Sequence, residues 1–236
     1  MEVRTLLKRG TDHPLNCEDD LFTFNDGSTY IGAVFDGCST GIKSHFASTL
    51  YSKILADWCE KAGDSIAGDP IQEVGRNCFQ YLFLQLDVVR KTLNLYYMEM
   101  LSTMILMVVR DGKAYILVSG DGCISLSSAT GREETKIESP GNAPDYLAYH
   151  LACGLDAFRS LKEYTFNVEK TISICSDGIY SFTGKDKVDQ SHEVMTSLLE
   201  DASLLKSEAM LGRKYNLLLK EGYSNYDDLS IVRFIV

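Results

Sequence analysis

The residues best equipped for chemistry in this chain are carboxylates, and they come in small clusters. Glu18-Asp19-Asp20 stands before one apolar run and Asp36-Gly37 follows another. Asp121 lies between two glycines, Asp177-Gly178 follows a third run, and Asp227-Asp228 opens the last. A single Asp-Gly pair is most simply a turn, because aspartate bonds its own backbone and glycine accepts the left-handed region. Five acidic clusters at the ends of apolar runs raise a further prospect. Carboxylates that converge at one sheet edge repel one another unless a cation neutralises them, and hard oxygen donors of this kind suit Mg²⁺ or Mn²⁺. A glycine after the aspartate also lets the backbone carbonyl approach closely enough to ligate. There are four histidines and seven cysteines, and no CxxC or Cys/His group has zinc-ligand spacing.

The apolar runs that must carry these carboxylates read as short strands: Leu21–Asn25, Tyr30–Phe35, Thr103–Val109, Lys113–Ser119, Cys123–Ser127, Thr171–Ser176 and Leu229–Val236. Asp111-Gly112 between two of them predicts a hairpin, and Asp26-Gly27 another turn. Helical spacing predicts helices over Gly41–Cys59, Ile71–Leu101, Val188–Leu205 and Glu208–Leu219. The order is strands, two helices, strands, then helices before the last strand. That is not βαβ alternation, so the expectation is an α+β fold of antiparallel sheets flanked by helices.

A chain of 236 residues without repeats, low-complexity tracts or an evident linker reads as one domain over 1–236, and 45% hydrophobic residues supply a core. A net charge of −10 argues against nucleic-acid or anionic-membrane surfaces, although a bound metal would still allow a local phosphate site. No apolar run nears the roughly 20 residues of a membrane span, and Met1-Glu2-Val3-Arg4 leads into a polar segment unlike a signal peptide. An odd number of cysteines, with Cys78, Cys123 and Cys175 inside apolar runs, fits reduced thiols and a cytoplasmic location.

Taken in order, the clusters resemble the metal-dependent protein phosphatases of the protein phosphatase 2C-like (PPM) type. The similarity is carried by Val34-Phe35-Asp36-Gly37, Ser102-Thr103, Val118-Ser119-Gly120-Asp121-Gly122, Ile174-Cys175-Ser176-Asp177-Gly178 and Tyr226-Asp227-Asp228-Leu229-Ser230. The opening Gly10-Thr11-Asp12-His13…Cys17-Glu18-Asp19 is similar to a bacterial branch. The resemblance implies a central β-sandwich of two antiparallel sheets with helices on both outer faces, and two Mn²⁺ or Mg²⁺ ions. In that scheme Asp36 bridges the ions and Gly37 ligates through its carbonyl. Asp177 and Asp227 hold the first ion, Glu18 supports the second, Asp19 orients water, and Asp121 matches a weak third site. The implied reaction is direct attack on phosphorus by a water activated between two ions roughly 4 Å apart, without a covalent intermediate. The implied partners are a phosphorylated protein and a cognate Ser/Thr kinase; a monomer is the default expectation for the chain.

The sequence departs from that pattern at three places. Cys38 stands where many members have a histidine, Pro14 where many have a phosphate-binding arginine, and Ser181 where a third-site aspartate is common. His13 is then a candidate for phosphate binding or proton donation, and Arg9 a weaker substitute for the arginine. Two other readings stay open: a phosphatase-like sensor or binding domain with weak catalysis, and a two-metal phosphodiesterase or nuclease, which would commonly use more histidine ligands.

Overall fold

In the computed structural model, which describes residues 1–139, 144–152, 161–184 and 191–236, the apolar runs pair into two five-stranded antiparallel sheets. The strands are β1 (Glu2–Lys8), β2 (Asp19–Asn25), β3 (Tyr30–Asp36), β4 (Met104–Arg110), β5 (Lys113–Ser119) and β6 (Gly122–Ser128). They continue as β7 (Gly131–Ile137), β8 (Lys162–Asn167), β9 (Thr171–Cys175), the two-residue β10 (Phe182–Thr183) and β11 (Ser224–Asn225), and β12 (Leu229–Ile235). One sheet runs β1-β12-β9-β6-β7 and the other β2-β3-β4-β5-β8, with β10 and β11 paired on their own.

Side chains alternate across each strand, and here both faces are covered. Val34, Ile105, Met107, Ile116, Ile124, Ile174, Val232 and Phe234 fill the space between the sheets. The opposite face of the second sheet, with Ile31, Phe35, Leu106 and Leu117, packs under α1 (Ser44–Ala62) and α3 (Ile71–Leu93), joined by the short α2 (Asp64–Gly68). The outer face of the first sheet, with Leu6, Cys175 and Ile231, packs under α4 (Ser191–Met195), the wider turn Thr196–Glu200 and α5 (Met210–Glu221). The result is the expected four-layer α-β-β-α arrangement. Burial on two faces explains why the central strands read as unbroken apolar runs.

The β4–β5 hairpin turns at Asp111 (φ 50°) and Gly112 (φ 68°), the left-handed pair that a two-residue turn requires. Three strands of the two large sheets escaped the sequence reading, β1, β7 and β8, all at sheet edges and rich in charge, as did the two-residue β10 and β11. The helix expected over Ile71–Leu101 stops at Leu93, where Asn94 turns left-handed (φ 54°) and its N–H bonds the Arg90 carbonyl; a short 3₁₀ turn at Tyr97–Glu99 follows. Of the segment expected over Val188–Leu205, the described helix is Ser191–Glu200, its second half wound as a π-turn. The buried Arg233 and Lys214 donate to the carbonyls of Leu198, Glu200, Asp201 and Ser197, holding that end in place. Met98 is exposed rather than core, unlike the buried Met100, Met104 and Met107. A mobile flap or a helix start at Asn142-Ala143-Pro144 through Tyr149 and a solvated turn at Lys185-Asp186-Lys187 are both expected; residues 142–143 and 185–187 lie outside the described residues. Tyr146, Leu147 and Ala148 are buried at a 3₁₀ turn spanning Leu147–Ala152.

The registers fix where the carboxylates emerge. Asp19 opens β2 directly opposite Asp36 at the end of β3. Cys175, the last residue of β9, stands opposite Cys123 near the start of β6 and opposite Ile231 near the start of β12. Asp36, Asp121, Asp177 and Asp227 therefore leave their strands at one end of the sandwich.

Candidate active site

Asp36, Asp121 and Asp177 each offer a carboxylate oxygen, and the three oxygens lie within 4.8 Å of one another. The backbone around them is tied by short-range bonds. The Asp36 N–H donates to the Thr103 hydroxyl (3.3 Å), and the Thr103 N–H donates to the Asp36 carbonyl (2.8 Å). The Gly37 N–H donates to the Glu18 carbonyl (3.1 Å). A β-carbon on Gly37 would lie 2.4 Å from the Ser44 carbonyl oxygen and 2.7 Å from that of Glu18, so only glycine fits. The same holds at Gly178, where a β-carbon would come within 1.7 Å of the Asp228 carbonyl oxygen.

Asp227 shares a cavity of about 360 Å³ with Asp36, Asp121 and Asp177, walled by Cys38, Met98, Tyr146 and Tyr149. Ser181 positions it: the Asp227 N–H donates to the Ser181 hydroxyl (3.3 Å), which itself donates to the Gly178 carbonyl (2.8 Å). The serine that replaces a possible fourth acid thus locks two carboxylate-bearing turns together. Asp19 lies beneath the cluster, 4% exposed, and both of its oxygens lack a hydrogen-bond partner, as does the buried Oε2 of Glu18. The Ser176 and Ser230 hydroxyls are near enough to Asp19 to favour its charge, but they do not reach hydrogen-bonding geometry.

The electrostatics follow from this crowding. Burial, then the charges of Asp19, Asp177, Asp227 and Asp121, hold the Asp36 carboxyl well above the usual carboxylate range. Burial above all lifts Asp19 to about 7. Burial, with Asp227 and Asp121 adding to it, lifts Asp177 to about 6. Asp121 and Asp227 are raised as well, chiefly by burial. Anions forced together this way are stabilised by a positive charge among them. Orphaned buried carboxylate oxygens and an all-oxygen donor set fit a hard divalent cation such as Mg²⁺ or Mn²⁺.

His13 stands at the edge of the cluster. Its Nε2 lies 3.7 Å from Glu18 Oε2, 3.8 Å from Asp227 Oδ1 and 3.4 Å from the Ser39 hydroxyl. Its Nδ1 is 2.8 Å from Asp228 Oδ2, within ion-pair distance but too bent for a hydrogen bond. Burial works against protonation of His13, yet contact with Asp228 and the charges of Glu18 and Asp227 outweigh it, so its pKa stands above the ordinary value. Arg9 does not face the cluster as a free cation, because it donates to the carbonyls of Pro14 (3.0 Å) and Leu15 (3.3 Å). Cys17 is half-buried, and burial pushes its thiol far up, which makes it a poor nucleophile.

Asp228 is the residue that sequence reasoning passed over. It is 1% exposed and accepts hydrogen bonds from the Gly10 N–H (2.6 Å) and the Glu18 N–H. Together with the Asp12 N–H bonded to the Tyr226 carbonyl (2.9 Å), it staples the N-terminal segment that carries His13 and Glu18 onto the start of β12. The sequence shows it only as the second residue of the Asp227-Asp228 pair, and its burial comes from the turn that leads into β12.

A family model described as protein phosphatase 2C matches residues 9–212. Among solved structures, a bacterial serine phosphatase is similar at a TM-score of 0.72 and 15% identity, covering 100% of this chain and 98% of that one. The catalytic domain of the serine threonine protein phosphatase PstP, solved in complex with 2 manganese ions, is similar at 0.67 and 14%, covering 100% and 98%. The serine/threonine phosphatase Stp1 from Staphylococcus aureus is similar at 0.65 and 14%, covering 100% and 94%. At such identities the likeness establishes the fold. No curated protein sequence matches the chain.

Proposed function

The chain belongs to the protein phosphatase 2C family, and from that premise we propose that it is a metal-dependent phosphatase hydrolysing phosphoserine or phosphothreonine on a partner protein. The observation that carries this reading is the meeting of three carboxylate oxygens, from Asp36, Asp121 and Asp177, within 4.8 Å. In our reading Asp36, Asp177 and Asp227, with the Gly37 carbonyl and Glu18, would hold two Mn²⁺ or Mg²⁺ ions, and Asp121 would serve a weaker third. When bound, such ions supply Lewis-acid charge toward phosphoryl oxygens and lower the pKa of water.

The chain's own residues then have separable tasks. Thr103, Ser181 and the two unsubstitutable glycines keep the carboxylates at fixed spacing, which is the condition for in-line displacement. Asp19, buried below the cluster with two free oxygens, is placed to orient water. His13, its pKa raised by Asp228, holds a proton on Nε2 that can pass to the leaving serine or threonine oxygen. Among the described residues no helix is long and apolar enough to cross a membrane, which is compatible with a cytoplasmic signalling role. A cognate Ser/Thr kinase as counterpart and a monomeric state belong to the same proposal.

The test is hydrolysis of p-nitrophenyl phosphate and of a phosphothreonine peptide with Mn²⁺, Mg²⁺ or EDTA, in wild type and in Asp36→Asn and Asp177→Asn. Metal-dependent turnover that each variant reduces by at least about a hundredfold is expected. Inactivity of folded wild type on both substrates with both metals would leave the alternative, a phosphatase-like binding domain.

A further inference from the structure

A phosphorylated residue brings about −1.5 to −2 charges toward a cluster of carboxylates. Even with cations among the acids, its outer oxygens need a partner that approaches from the open side. Two cavities are lined by the aspartates of the cluster, and a third, lined by His13 and Glu18, adjoins one of them at Ser39; the lysines and arginines that line the three are Lys136 and Lys43. Lys136 is committed, with its Nζ 2.9 Å from Glu138 Oε1 and over the Tyr180 ring. Lys162 nearby donates to the Glu138 carbonyl (2.9 Å). The Lys43 side chain, by contrast, is exposed and makes no hydrogen bond or ion pair among the described residues.

Its placement is tightly determined. The loop after Asp36 is closed by the Gly41 N–H bonded to the Cys38 carbonyl (2.7 Å) and by the Ser44 hydroxyl bonded to the same oxygen (2.5 Å). The Ser44 carbonyl presses against Gly37, so Lys43 is one residue from a backbone in contact with the residue that follows Asp36. It lines a cavity of about 510 Å³ with His13, Glu18, Ser39 and His45, and Asp12 is the other acid there. The backbone at Lys43 is left-handed (φ 57°), a conformation that glycine adopts more easily. The side chain therefore sits where the local backbone gives no reason for one.

We infer that Lys43 is the cation that receives the substrate's phosphoryl oxygens, through the cavity lined by His13, Glu18 and Ser39. This rests on the phosphatase reading, and it makes Lys43 a binding residue: an ammonium on a flexible stem meets the phosphate as a point charge. Anionic phosphomonoesters are then favoured over phosphodiesters, which present less charge.

Lys43→Gly tests it without endangering the fold, because glycine suits the backbone there. Lys43→Arg keeps the charge. Binding of inorganic phosphate to Mn²⁺-loaded protein is measured by titration calorimetry, alongside KM and kcat for p-nitrophenyl phosphate. The glycine variant is expected to weaken phosphate binding and raise KM about tenfold, with kcat within about twofold, and arginine to recover most of the loss. Unchanged phosphate binding in a glycine variant that turns over would overturn the role of Lys43 and leave the phosphatase reading intact. Phosphate binding that is lost in the variant, in a wild type without turnover, would support Lys43 and remove the phosphatase reading. A wild type that neither binds phosphate nor turns over would remove both.

Discussion

Removing the charge of Asp228 while keeping its size separates its two roles. An asparagine offers one acceptor oxygen where the carboxylate serves both the Gly10 and Glu18 N–H groups, so one buried donor loses its partner. Asp228→Asn is expected to cost about 2 kcal/mol, read by urea unfolding. It also removes the anion that raises His13, so the His13 pKa should fall, and an NMR titration of its ring would show this. An unchanged His13 titration would mean that Glu18 and Asp227 suffice. The same residue shows where sequence reading stops. Asp36 and Asp177 were legible because each stands between an apolar run and a glycine, and Asp121 because two glycines enclose it between two such runs. Asp228 differs from Asp227 only in facing inward, which depends on the register of β12. The engagement of Arg9 by two carbonyls was equally out of reach, since it depends on how one loop folds back.

At the scale of elements, glycines divide into those that shape a turn and those that let two elements touch. At Gly112 (φ 68°) a β-carbon meets only the Val168 carbonyl, at 3.6 Å, so Gly112→Ala should cost about 1 kcal/mol through backbone strain and leave metal-dependent turnover unchanged. Gly178→Ala must push the turn after β9 away from Asp228. That moves Asp177 relative to Asp227 and should lower metal-dependent turnover by at least about a hundredfold, in keeping with the sensitivity of catalysis to small displacements. Comparable activity losses in the two variants would contradict this division. The elements themselves were legible in proportion to their burial. The six inner strands announce themselves as apolar runs. β1, β7 and β8 lie at sheet edges, bury one face at most and carry charge, as edges do to avoid pairing with other chains. The end of α3 was signalled by Asn94, a residue suited to a left-handed cap, whereas the π-turn at Thr196–Glu200 follows from the tertiary contacts of Arg233 and Lys214.

At the scale of the whole molecule, the crowded acids set how stability depends on pH. The folded-state pKa values of Asp19, about 7, and Asp177, about 6, lie above the ordinary 3.8 because burial disfavours their charge. In this range the folded state holds protons that the unfolded chain has released, so stability falls as pH rises from about 4 to about 7. Below that window these groups cost nothing; above it the metal-free protein carries their full penalty. A divalent cation among the carboxylates offsets the penalty, and its own binding strengthens once they are ionised. The melting temperature in EDTA should therefore drop by about 5 °C or more between pH 5 and pH 7.5, while in Mn²⁺ the drop is smaller or absent. In Asp36→Asn one charge leaves the cluster, and the EDTA curve should flatten even where activity is lost. A metal-free protein with equal or greater stability at pH 7.5 would show that the acids are kept apart by something other than a cation.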